Sequence, residues 1–88
     1  MRRNPDFLLQ NVAGTTVIVP TGNAVTAFPG MITVNGTGAY LWELLETDQT
    51  TDTLVDGLQK CYEVEREQAT ADVKAFLAQL QPTGALID

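Results

Sequence analysis

Side chains that could carry out chemistry are few in this sequence, and they do not combine into a known catalytic arrangement. Histidine, the commonest general base and metal ligand, does not occur. The single cysteine, Cys61, falls on the apolar stripe of a predicted helix, where we expect a small buried hydrophobe. Gly36 and Gly38 belong to no GxGxxG or GKS/T phosphate loop. The sequence therefore predicts no catalytic residue and no enzyme activity.

Acidic residues in the second half of the chain are spread along predicted helix surfaces and connections, at Asp52, Asp56, Glu63, Glu65 and Glu67. Their spacing lacks the order of a calcium-binding loop, so we interpret them as a solvent-exposed face. We expect neither a metal site nor a cofactor.

Composition and charge disfavour further classes of function. A net charge of −6, a pI near 4.3 and only five Lys and Arg residues disfavour a nucleic-acid partner, because phosphate binding requires clustered basic side chains. No apolar run approaches the roughly 20 residues that span a bilayer, and Asn4-Pro5-Asp6 stands where a secretory signal places its apolar core. One cysteine excludes an intramolecular disulfide. We expect a cytoplasmic protein without membrane contact, with residues 1–88 forming a single domain.

The stretch Gly30–Glu46 organises the predicted fold. Met31–Val34 is apolar and mostly β-branched, as expected of a short strand, and Asn35 follows at once as a good helix cap. Apolar residues then recur at helical spacing, at Ala39, Leu41, Trp42, Leu44 and Leu45. A strand thus passes into a helix without a loop, and Gly38 in the first turn predicts close approach of this helix to the sheet.

Two further strands precede this corner. Phe7–Val12 and Thr15–Val19 flank the turn pair Ala13-Gly14 and predict an antiparallel hairpin. Pro20 cannot donate to a ladder, so we expect it to end the second strand or to mark an edge. The Met31–Val34 strand would complete a three-stranded antiparallel sheet, which is too small to be stable without helices.

Three predicted helices follow the sheet, over Gly36–Glu46, Thr51–Tyr62 and Arg66–Leu80. The last has the clearest apolar pattern, with Ala69, Val73, Phe76, Leu77 and Leu80 on one face. Ala85–Ile87 is expected to pack back as a strand-like cap, whereas Thr21–Pro29 has no clear element and a lone Phe28 that should fold onto the core. Strands before helices indicate an α+β fold, winged-helix-like, with an N-terminal three-stranded antiparallel sheet and a three-helix (helix-turn-helix) unit.

Recognition is the remaining class of function, and the residues leave alternatives open. A winged-helix DNA-binding regulator would use the last helix, but over Glu65–Leu80 its two basic residues, Arg66 and Lys74, are outnumbered by Glu65, Glu67 and Asp72. If Met31–Val34 is an edge strand beside that helix, the two frame a groove in which an extended peptide could add as a strand. An edge that is simply protected fits the composition equally well. A structural oligomerisation module, with a homodimer that buries this edge, is the third alternative.

The run Met31–Leu45, MITVNGTGAYLWELL, resembles the signature of PqqD-like proteins: a hydrophobic strand, Leu-Asn, small residues, Ile/Leu-Trp and Leu-Leu. Thr50–Tyr62 is similar to the family's "Thr…Leu-Val…Leu…Tyr" helix. Ala71–Leu80 followed by Gly84 is similar to its "Asp-Val…Phe-Leu…Leu…Gly" ending. The likeness covers most of the chain from about Phe7 onward.

The resemblance implies a RiPP recognition element, a domain that binds the leader of a ribosomally made precursor peptide and presents it to a modifying enzyme, often a radical SAM (S-adenosylmethionine) protein. It also implies that the leader adds to the third strand and lies against the third helix. Carried over by position, the peptide-binding residues are Gly30, Met31, Ile32, Thr33, Val34, Ala69, Asp72, Val73 and Phe76. Asp72 would either meet a basic leader residue or only favour the start of its helix. The predicted function is a non-catalytic peptide-binding adaptor.

Overall fold

In the computed structural model, which describes residues 1–87, an antiparallel sheet precedes most of the helices. The described elements are, in chain order, β1 (Arg2–Arg3), β2 (Phe7–Val12), β3 (Thr15–Pro20), α1 (Ala24–Ala27), β4 (Ile32–Thr33), α2 (Gly36–Leu44), α3 (Thr51–Cys61), α4 (Arg66–Leu80), a 3₁₀ turn (Gln81–Thr83) and β5 (Leu86–Ile87). Strands β2, β3 and β4 form a three-stranded sheet in that order, and β1 pairs with β5. The predicted α+β, winged-helix-like fold class is confirmed.

The β2–β3 hairpin has the predicted turn. Ala13 and Gly14 both have positive φ, at 52° and 83°, as a two-residue type I′ turn requires. Strand β3 runs one residue further than predicted, to Pro20, which lies opposite Phe7 in register. Proline cannot donate to a ladder, but β4 begins only at Ile32, after the position opposite Pro20, so no ladder bond is lost.

Strand β4 is shorter than the predicted Met31–Val34. Only Ile32 and Thr33 pair as strand residues, opposite Ile18 and Val17 of β3. Met31 is 57% exposed and contributes little to the sheet. Val34 still donates its backbone N–H to the Thr16 carbonyl at 3.0 Å, so the hydrogen bonding of the ladder extends one residue beyond the strand itself.

The strand-to-helix corner forms without a loop, as predicted. The Asn35 side chain accepts a hydrogen bond from the Gly38 backbone N–H at 2.8 Å and caps α2, which ends at Leu44 rather than Glu46. A Cβ atom at Gly38 would lie 3.2 Å from both the Phe76 ring and the Val34 Cβ. The absence of a side chain at Gly38 therefore allows α2 to approach both the sheet and α4.

The helices pack their apolar faces on the sheet to form one core. Helix α3 begins with a reciprocal capping box between Thr50 and Thr53, and α4 has the predicted bounds. The core contains the predicted apolar face of α4 together with residues of the sheet, α2 and α3: Phe7, Ile18, Ile32, Val34, Leu41, Trp42, Leu45, Leu54, Val55, Leu58, Ala69, Val73, Phe76, Leu77 and Leu80. Phe28 packs against this core, as expected.

Two features of the fold were not predicted. The segment Thr21–Pro29 contains the short helix α1, and Arg2–Arg3 forms a strand. The strand-like cap predicted at the end of the chain forms as β5, and its partner is β1, with Arg2 opposite Ile87 and Arg3 opposite Leu86.

The prediction that Cys61 is buried was wrong. Cys61 is exposed, and Tyr62 after it is 37% exposed. Burial along α3 ends at Leu58, because the helix stops at Cys61 and the chain turns away toward α4.

Tyr40 connects α2 to this end of α3, since its hydroxyl donates to the Gly57 carbonyl at 3.2 Å. The pKa of Tyr40 is raised, chiefly because the hydroxyl is desolvated by burial and to a smaller extent because Cys61 and Tyr62 lie nearby.

Candidate functional site

A groove separates the free edge of β4 from helix α4, and we call it the β4–α4 groove. Strand order makes β4 an edge of the sheet, with β3 on one side only. The groove has a volume of about 260 Å³. Its lining comes from β4 and the corner after it, from α2 and from α4: Thr33, Val34, Asn35, Thr37, Gly38, Leu41, Asp72, Ala75, Phe76 and Gln79.

The backbone of Thr33 faces this groove. Partners in an antiparallel ladder alternate between hydrogen-bonded and non-hydrogen-bonded pairs. Val34 donates to Thr16 across the β3–β4 ladder, and Thr33 lies opposite Val17 at the adjacent position. The Thr33–Val17 pair is therefore of the non-hydrogen-bonded type, and the N–H and C=O of Thr33 point away from β3 toward the open edge.

One side chain of α4 reaches this edge. The Gln79 amide donates from Nε2 to the Thr33 carbonyl oxygen at 3.1 Å. It is the only side-chain hydrogen bond between α4 and β4 in the described part of the chain. The outward carbonyl of the edge strand is thus occupied by a side chain, while no backbone segment of the described residues pairs with β4 on that side.

The groove has an apolar floor and a partly polar wall. Phe76, Val34 and Leu41 are 6%, 9% and 0% exposed and form the floor. Along α4, the lining residues Asp72, Ala75, Phe76 and Gln79 recur at helical spacing on one face. This arrangement can hold a segment of extended chain, with backbone groups at the strand and side-chain contacts at the helix.

Asp72 carries the negative charge of this wall. Its carboxylate is half-buried and accepts a hydrogen bond from Gln68 Nε2 at 2.8 Å. Because Asp72 lies beyond the first turn of α4, the helix dipole acts on it only weakly. The carboxylate faces the groove, where a basic group could approach it.

The residues expected to bind peptide occupy three kinds of position. Thr33, Val34, Asp72 and Phe76 line the groove. Gly30 and Met31 precede β4 and are exposed, whereas the side chain of Ile32 is buried on the core side. Ala69 and Val73 are fully buried in the core; they support the wall from beneath and do not form its surface.

On helix α4, sequence reasoning missed Gln79 and Ala75. Both lie on the face of α4 that already carried Asp72 and Phe76, at spacings of three, four and seven residues. Extending that stripe through its exposed positions would have found them. The contact between Gln79 and Thr33 had no signal, since it joins residues 46 apart in the sequence.

A second groove runs along the other edge of the sheet. It has a volume of about 500 Å³ and is lined by residues of the N-terminal segment, β2 and α2: Arg2, Arg3, Pro5, Phe7, Leu8, Leu9, Trp42, Glu43 and Glu46. Both signs of charge meet there, so no single ligand chemistry is indicated.

Residues 1–87 contain no cluster of three or more Cys, Asp or Glu side chains placed to hold a metal ion. None of the helices formed by these residues has the length and apolarity needed to cross a membrane.

A match to a known protein family covers most of the chain. A family model described as coenzyme PQQ synthesis protein D (PqqD) matches residues 15–86. The chain belongs to the PqqD family. The predicted resemblance is thereby confirmed, and the matched part of this PqqD-family chain includes all of β3, β4 and the helices that form the β4–α4 groove. No curated protein matches the chain.

Two solved structures share the fold of this PqqD-family chain. One is described as TbiB1 in complex with the TbiA(beta) leader peptide; it has a TM-score of 0.72 and 19% identity and covers 100% of both chains. The other is lasso peptide synthetase B1 complexed with the leader peptide, with a TM-score of 0.71 and 22% identity, covering 99% of this chain and 96% of that one. At such identities the likeness establishes the fold.

Proposed function

We propose that this chain is a non-catalytic adaptor that binds the leader of a ribosomally made precursor peptide and presents it to a modifying enzyme, such as a radical SAM protein. Membership of the PqqD family supports this proposal. Two proteins of the same fold have been solved in complex with leader peptides. The observation that carries the proposal is the outward-facing backbone of Thr33 beside α4.

In this proposal the leader adds as a further strand on β4. The N–H and C=O of Thr33 pair with the peptide backbone, and each such hydrogen bond contributes about 0.5–1.5 kcal/mol net. A few backbone bonds alone give weak and unselective binding. Selectivity comes from the apolar floor at Phe76 and Val34, which accepts an apolar anchor, and from Asp72, which favours a basic residue.

The charge of α4 disfavours the DNA-binding alternative. Arg66, one of the two basic residues on this helix, is engaged by Asp56 at 2.8 Å and Asp52 at 3.8 Å. These contacts are exposed and contribute little stability, but they place acidic groups beside the cation that a phosphate would need. A gel-shift assay at low salt is expected to show no complex.

Leader-peptide titration tests the proposal. Synthetic peptides from the N-terminal segments of short peptides encoded beside this gene are titrated into ¹⁵N-labelled protein. We expect backbone amide shifts at residues 30–35 and along the groove face of α4. A binding peptide whose shifts fall on α3 or in the second groove would contradict strand addition on β4.

Two substitutions at Thr33 distinguish the contribution of its backbone N–H to peptide binding from that of its side chain. Thr33→Pro removes the outward N–H, which β3 does not use, and edge strands tolerate proline at such a position. We expect it to weaken peptide binding at least 10-fold. Thr33→Val keeps the N–H and the β-branched shape, so its affinity must fall far less. Equal affinities for the two variants, with folded spectra, would exclude a contact through the backbone N–H of Thr33.

A homodimer that buries the β4 edge is the other occupant to consider. Light scattering across a range of protein concentrations distinguishes it, because self-pairing grows with concentration and competes with the peptide. Dimerisation that Thr33→Pro abolishes while no peptide binds would favour the oligomerisation module over the adaptor.

A further inference from the structure

Gln79 holds the position that an added strand would take. Its side-chain amide donates to the outward carbonyl of Thr33 at 3.1 Å, across the β4–α4 groove. A peptide strand on β4 must place a backbone N–H donor at the same carbonyl. The glutamine amide has the same donor chemistry as a peptide N–H. The Gln79 side chain therefore makes a hydrogen bond of the kind that the backbone of an added strand would make.

This contact is not explained by stability of the fold. Gln79 is exposed, on the face of α4 that also presents Asp72 and Phe76 to the groove. An exposed glutamine loses rotamer freedom when it is held in one place, and an exposed carbonyl can bond to water instead. The contact instead occupies the Thr33 carbonyl, a hydrogen-bond acceptor on the edge strand that another chain could use.

We propose that Gln79 is a placeholder for the peptide, an inference that rests on the proposed function. In the free protein its amide satisfies the Thr33 carbonyl and limits edge-to-edge pairing between copies of the chain. When the peptide adds to β4, a backbone N–H of the peptide replaces the amide and Gln79 leaves the carbonyl. A segment with proline at that register cannot make the replacement, because proline has no N–H.

The contact itself can be measured without any peptide. Hydrogen exchange of the side-chain NH₂ groups is followed by NMR, with exposed Gln81 as the comparison since it lies outside both grooves. We expect the Gln79 amide to exchange more slowly than the Gln81 amide. Equal exchange rates would overturn the inference whether or not a peptide is known.

Gln79→Met then tests whether a peptide N–H replaces the Gln79 amide at the Thr33 carbonyl. Methionine keeps the length of the side chain and removes the amide, so the peptide no longer competes with it. With the tightest-binding leader peptide from the titration above, we expect affinity to rise by a factor of about 5, the equivalent of one net hydrogen bond. The matched variant Gln81→Met should bind like the parent chain. Unchanged or weaker affinity in Gln79→Met would overturn the placeholder role.

The outcomes separate the two proposals. Peptide binding that is lost in Thr33→Pro but unchanged in Gln79→Met leaves the adaptor function in place and removes the role of Gln79. Failure of both the parent chain and Gln79→Met to bind any leader peptide removes the adaptor function and the placeholder with it. Slow exchange of the Gln79 amide that persists in the peptide complex also contradicts the placeholder, because the amide would not have left the carbonyl.

Discussion

At the scale of single residues, Ala13 has the least favourable backbone conformation for its side chain. It is the one non-glycine residue with a positive φ among residues 1–87, at 52°. The left-handed region costs an ordinary L-residue roughly 1–2 kcal/mol. The turn is nonetheless well specified, because Gly14 follows at φ 83° and donates its N–H to the Asn11 side chain at 3.1 Å.

Replacing Ala13 with asparagine should therefore stabilise the hairpin. Asparagine tolerates the left-handed region, and Asn-Gly is the preferred pair for a type I′ turn. We expect Ala13→Asn to raise the free energy of unfolding by about 0.5–1 kcal/mol in urea denaturation. Ala13→Val should lower it, since a β-branched side chain fits a positive φ poorly. If both variants were destabilised alike, relief of backbone strain would not be the cause.

The residue scale is also where prediction from the sequence was weakest. Periodicity locates the buried face of a helix but not the point along its axis where the core ends, which is why Cys61 was expected inside and lies outside. The resemblance, carried over by position, assigned Ala69 and Val73 to the peptide-binding residues, although the apolar periodicity already placed them on the buried face where they lie. Whether a side chain reaches a groove depends on neighbouring elements, and one helix alone does not contain that information.

At the scale of elements, signals within a few neighbouring residues were sufficient to predict most of the strands and helices. The β4–α2 corner was predictable because Asn35 caps the helix directly after the strand, within a few residues of sequence. The hairpin followed from its turn pair, and α4 from its unbroken apolar stripe. Strand β1 was not predictable in this way, because two residues become a strand only through pairing with β5 at the other end of the described chain.

Two glycines in the first turn of α2 offer a direct test of element packing. A Cβ atom at Gly36 meets nothing within 4 Å, whereas one at Gly38 presses on the Phe76 ring and on Val34. We expect Gly36→Ala to stabilise the protein by about 0.5 kcal/mol through helix propensity. Gly38→Ala gains the same helix propensity, but its added methyl group displaces Phe76 and Val34 in the floor of the groove. We therefore expect Gly38→Ala to be less stable than Gly36→Ala and to bind peptide more weakly.

Thermal unfolding and peptide titration of the two alanine variants check this contrast. Gly36 lies outside the groove lining, so the affinity of Gly36→Ala reports any general effect of a stiffer helix start. Should Gly38→Ala be as stable as Gly36→Ala and bind peptide equally well, then close approach of α2 to Phe76 would not shape the groove.

At the scale of the whole molecule, the N-terminal segment joins parts that are distant in sequence. Arg3 donates its backbone N–H to the Leu45 carbonyl at 2.8 Å and pairs with Leu86 in β5. Its guanidinium donates to the Trp42 carbonyl at 3.1 Å and lies 5.8 Å from the centre of the Trp42 ring. One residue thus links the start of the chain, α2 and β5, although the family match begins only at residue 15.

Alanine variants of Arg3 and Arg2 allow this linkage to be measured with the same change of charge in both. Arg3→Ala loses a charged hydrogen bond and a cation–π contact, so we expect it to lower the free energy of unfolding by about 1–2 kcal/mol. The exposed Arg2, its neighbour in β1, should change it by less than about 0.5 kcal/mol when replaced by alanine. Urea denaturation of both variants gives the comparison, and each removes one positive charge, so a general charge effect would lower both equally. Such an equal loss would mean that β1 is held by its backbone pairing with β5 and that the Arg3 side chain adds nothing to the joining of the two ends.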